Sequence, residues 1–96
     1  MWEITNTDEQ ARYTRLHFSR VDLGNSPRNS DRITLTALGR QAQQVISGQY
    51  TDLWSQPFPG RTVTVNFVSD NAQPGWGFIL DGVESVPAAE AIGLLV

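Results

Sequence analysis

GRTVTVNFVSDNAQPGWGFILDGVESV, residues Gly60 to Val86, carries the clearest periodicity in the chain. From Thr62 to Val68, the apolar residues Val63, Val65 and Phe67 alternate with Thr62, Thr64 and Asn66. From Trp76 to Leu80, Trp76, Phe78 and Leu80 recur in the same way. A period of two sends each apolar set to one face of a β-sheet. Between them lies SDNAQPG, whose Asp, Asn, Pro and Gly supply turn dihedrals and local side-chain hydrogen bonds. The stretch therefore predicts two strands joined as a hairpin.

Upstream the same reading continues. Trp2 to Thr5 is a short strand with Trp2 and Ile4 on one face, and Asn6 to Gln10 is a turn. Ala11 to Val21 is a strand with Leu16 and Phe18 on one face and Arg15, His17 and Ser19 on the other. Residues 22 to 31 form the most polar, turn-rich connection. Arg32 to Ala37 is a strand carrying Ile33 and Leu35, and Leu38 to Arg40 a turn. Gln41 to Tyr50 fits a short helix ended by Gly48 or a strand at Gln44 to Ser47; its β neighbours favour the strand. Thr51 to Pro59, with Pro57 and Pro59, is a strand end or a crossing loop. Pro87 to Val96 reads as a short helix or a linker, leaving residues 1–86 as the domain. Short strands with frequent turn signals predict an all-β antiparallel sandwich or barrel.

Composition bounds the function. The 96 residues suit one small domain with one modest core. With 40% hydrophobic and 18% charged residues, the composition is that of a globular protein. A net charge of -3 disfavours nonspecific binding to nucleic acid, which needs a basic face. No cysteine is present, which removes disulfides and thiolate metal sites. No stretch is long enough to span a bilayer as a helix, the tail AIGLLV included. The N-terminal MWEITNTDEQ has no apolar run, so an export signal, if the protein is exported, lies outside this sequence.

Several of these segments together resemble the CUB domain family, a jelly-roll β-sandwich. Val65-Asn66-Phe67-Val68-Ser69-Asp70-Asn71 followed by Gly77-Phe78 resembles its closing hairpin. Leu16 to Asp22 is similar to the strand before its acidic loop, and Ser30 to Leu35 to the next strand; Gly48 and Trp54-Ser55 fall in the expected order. The resemblance spans residues 11 to 86. The cysteines common in animal members are missing, and Ser30 stands where the family has a Tyr before the Asp. It implies a jelly-roll, cysteine-free module of the bacterial kind, appended to a secreted or cell-surface protein such as a secreted hydrolase. It also implies calcium between two loops, held by a Glu and two Asp. Carried over position by position, these fall on Gly24, Asp31 and Asp70, with Asp22 or Asn71 able to replace the lost Glu. Calcium takes about 6–8 oxygen ligands, so losing one carboxylate weakens such a site. The competing reading is that Asp31 and Asp70 cap loops by accepting backbone N–H groups.

Tyr50, Trp54 and Trp76 could form an aromatic platform for a sugar ring or peptide, or pack as core and edge residues. His17 is the only histidine; it falls out of phase with Leu16 and Phe18 and is expected on the outer face. Ser19 and Asp22 are near it, but no nucleophile-elbow signature exists, so catalysis is not expected. One histidine without cysteine also argues against zinc. Asp8-Glu9 reads as a solvated turn and not an acid/base pair. Arg12, Arg15 and Arg20 form a stripe for an acidic partner or for cross-strand ion pairs. The expected function is a noncatalytic module that recognises a protein or a glycan through loop residues 22–31 and 69–75. The alternative is self-assembly through an edge strand or the apolar tail.

Overall fold

The computed structural model describes residues 1–23, 31–68 and 77–90. Eight strands follow in order: β1 (Trp2–Thr5), β2 (Tyr13–Asp22), β3 (Arg32–Ala37), β4 (Gln43–Ile46), β5 (Gln49–Trp54), β6 (Phe58–Pro59), β7 (Thr62–Val68) and β8 (Gly77–Val86). The first sheet has the order β1-β7-β3-β4. In the second, β2 pairs with β8 along one side and with β5 and β6 in succession along the other. All pairings are antiparallel. The fold is an all-β antiparallel sandwich.

Between the sheets lie Leu16, Phe18, Val21 and Leu23 from β2 and its exit, Ile33, Leu35 and Ala37 from β3, and Ile46, Phe58, Val63 and Val65. Each large side chain here contributes about 1.5–3 kcal/mol by leaving water. The alternation in β7 and in the first half of β2 thus aims at the core as expected. Strand β5 occupies Gln49–Trp54, where the sequence suggested a strand end or a crossing loop from Thr51. At the C-terminal side, Pro87 precedes a helical turn at residues 88–90.

One expectation is overturned. The two strands of the opening stretch exist, but they are not a hairpin: β7 lies between β1 and β3 in one sheet, while β8 lies on β2 in the other. Their connection joins the two layers, and Phe67 meets Phe78 across the gap with ring centroids 5.7 Å apart. Periodicity reports which face a residue occupies and is silent on which strand lies beside it. Both sides of β7 are taken by β1 and β3, so β8 pairs elsewhere.

Buried polar residues close the ends. Ser55 bridges the break between β5 and β6: its Oγ accepts the Leu16 N–H at 2.9 Å, and its own N–H donates to the Leu16 carbonyl at 2.8 Å. Asn6 donates through Nδ2 to Ser85 Oγ at 2.8 Å, and its carbonyl accepts the Arg61 guanidinium at 2.9 Å and 3.1 Å. These bonds satisfy groups that would otherwise be costly to bury.

Candidate functional site on the outer face of the second sheet

The site starts from an irregularity in β2. Leu16 and Phe18 face the core, and so do Val21 and Leu23, so the alternation slips by one residue between them. The β2–β8 register shows how. Asp81 is an extra residue on β8 between the pairs His17–Gly82 and Phe18–Leu80; Ser19 is an extra residue on β2 between Phe18–Leu80 and Arg20–Ile79. These are two compensating β-bulges, which locally re-aim side chains. On the other side of β2, Asp52 of β5 sits at φ 56°, in the left-handed region.

Both irregularities converge on His17. Asp81 Oδ1 lies 2.6 Å from Nδ1, and Asp52 Oδ1 lies 2.6 Å from Nε2. Gly82, opposite His17, makes room for this approach, since a Cβ there would stand 3.1 Å from His17 Cβ. The hydrogen bond to Asp52, then that to Asp81, raises the His17 pKa above its ordinary 6.5, against a smaller desolvation effect.

Trp54 lies opposite His17 in register, with ring centroids 4.6 Å apart. The Arg15 guanidinium stacks 4.2 Å from the indole centroid and bonds Glu84 at 2.9 Å. The Arg15 and His17 side chains are only 19% and 17% exposed, whereas Trp54 is 38% exposed. The indole therefore packs against the Arg15 guanidinium and the His17 ring while part of it stays in water. Around it stand Asp52, 85% exposed, with Asp81 and Glu84. The result is a part-exposed indole beside two basic side chains, each bound by carboxylates.

The structure separates some residues that the sequence grouped. Tyr50 pairs with Val21, a core residue, so it belongs to the opposite face of β5 from Trp54. The face changes at Asp52, so these two aromatics do not form one platform. Trp76 lies outside the described residues. Of the calcium donors, Asp31 is buried where the chain enters β3; Gly24, Asp70 and Asn71 lie outside the described residues, as do most of loops 22–31 and 69–75. Among the described residues, no three His, Asp or Glu side chains gather as a metal site. The arginine stripe divides: Arg15 makes the cross-strand pair with Glu84, Arg20 lies 3.6 Å from Asp22, and Arg12 precedes β2. Asp8 is held below its ordinary pKa by Ser85 Oγ–H and then the Gln10 N–H. It ties the turn to β8 and does more than solvate it.

The roles of Asp52 and Asp81 escaped the sequence reading. A signal was present: Gly82 interrupts an apolar strand pattern, which marks a bulge or a close approach.

A second surface lies where the layers stand apart. Trp2, Ile4, Val65, Phe67, Phe78 and Leu80 line an apolar groove of about 500 Å³ between β1 and β8. Among the described residues, β8 pairs with β2 alone.

Comparison with protein-family models, with curated proteins and with solved structures returned no match.

Proposed function

We propose that this chain is a noncatalytic binding module of a secreted or cell-surface protein, recognising a glycan through the outer face of the second sheet. The observation that carries this reading is the part-exposed Trp54 indole, packed against Arg15 and His17, whose own partners are three carboxylates. An indole face accepts the C–H side of a sugar ring, and carboxylates accept its hydroxyls. A noncatalytic role is supported by His17: both ring nitrogens are engaged by carboxylates, so neither is offered to a nucleophile. A protein ligand at the loop end, as the CUB resemblance implies, belongs to the same class of function. The test is a glycan array followed by titration calorimetry. Trp54→Ala should lower affinity for the retained glycan at least tenfold while thermal melting stays cooperative. A hit whose affinity ignores Trp54 would remove this face from the reading.

Calcium, with Asp31, Asp70 and Asn71 as donors, is part of the proposal only as the resemblance implies it. A melting temperature unmoved by millimolar calcium eliminates it. Self-assembly is the second reading. It is favoured by the exposed Trp2, Ile79 and Val83 and by the ten-residue edge that β8 presents beside the apolar groove. Light scattering at rising concentration separates the two: a persistent monomer dismisses assembly.

A further inference from the structure

We propose that His17 is a proton-operated tie that joins the central strand of the second sheet to both of its neighbours. A neutral imidazole carries one N–H and one lone pair, whereas an imidazolium carries two N–H donors. Here each ring nitrogen faces a carboxylate oxygen at 2.6 Å, one from β5 and one from β8. Only the cation satisfies both. When the proton leaves, whichever nitrogen loses it is set against a carboxylate, lone pair to negative charge, and that strand is no longer tied.

The local backbone is shaped for this arrangement. A bulge aims Asp81, a left-handed residue aims Asp52, and a glycine lets the ring approach β8. The charged groups around the ring are also accounted for. From β5 there is Asp52; from β8 there are Asp81 and Glu84; on β2 itself there is Arg15, bonded to Glu84, and beyond the Ser19 bulge Arg20 beside Asp22. The two unshared carboxylates on the ring outweigh the nearby Arg15, whose charge Glu84 answers. They favour the protonated ring, in line with its raised pKa.

Asp52 is the side that opens. It is the more exposed carboxylate, and its release lets a strained backbone relax. Trp54, two residues further on along β5, is then held against β2 less firmly. The device does not depend on which ligand the face takes, and it makes that face ordered below the His17 midpoint, while the two carboxylates stay ionised, and loose above it.

Because His17 is the sole histidine, its nitrogens can be followed by nitrogen-15 NMR across a pH titration. Both should be protonated at pH 6.5, with one midpoint above 6.5. Asp52→Asn and Asp81→Asn should each move the midpoint down, and amide protection at Leu53 and Trp54, taken against the intrinsic exchange rate at each pH, should fall above the wild-type midpoint. A midpoint at or below 6.5 overturns the proposal, and so does a midpoint unmoved in both variants. Should either variant fail to fold, the wild-type titration still decides. Failure to bind any glycan leaves this result unaffected, so the two readings stand or fall separately.

Discussion

Asp52 places two physical effects in opposition. Its left-handed backbone costs about 1–2 kcal/mol for an L-residue with a Cβ, while its carboxylate binds His17. Asp52→Gly removes both. Above the His17 midpoint, where the bond is weakened, this variant should melt higher than wild type; below it, the advantage should shrink or reverse. Denaturation at two pH values checks the sign. Gly82 is the converse case. Gly82→Ala would set a methyl 3.1 Å from His17 Cβ, and over-packing of this kind costs about 1–3 kcal/mol. The lost stability should come with a lower His17 midpoint, because the ring is pushed from Asp81.

At the scale of the element, β2 governs the second sheet because every other strand of that sheet pairs with it. One of its sides is shared by two short strands, and the break between them is filled by a side chain. Ser55→Ala would leave the buried Leu16 N–H without the Oγ acceptor, at a cost of about 1–3 kcal/mol. Urea denaturation should show this as a lower midpoint with unchanged slope. Phe18, wholly buried on the same strand, should cost about 3–5 kcal/mol as Phe18→Ala. Asn6→Ala, near Thr14 of the same strand, removes the link to Ser85 on β8 and should lower the same midpoint.

For the molecule as a whole, two shifted groups set the pH range of greatest stability. His17 has a raised folded pKa, so its contribution is fully present below 6.5 and is lost as pH rises through the folded value. Asp8 has a lowered folded pKa, so its contribution is present above 3.8 and is lost as pH falls through its folded value. These two groups together predict a stability plateau between about pH 3.8 and 6.5, with a decline on each side. His17→Gln should remove the alkaline decline and leave the acid one. Chemical denaturation across pH reads both limbs.

The sequence by itself determined most of the strands, the inward faces of β7 and of the first half of β2, and the sandwich class. Alternation in β7 and in the first half of β2 is a local property, written one residue apart and enforced by burial. Even the region of the site was legible in part: His17 falls out of phase with the core, and Gly82 marks a close approach. Tertiary structure alone decided three things: that β7 and β8 lie in opposite layers, that Tyr50 and Trp54 occupy opposite faces, and that Asp52 and Asp81 meet one imidazole. The reason is common to all three. Partner choice and register are competitions among strands distant in sequence, and a bulge of one residue reverses every face beyond it.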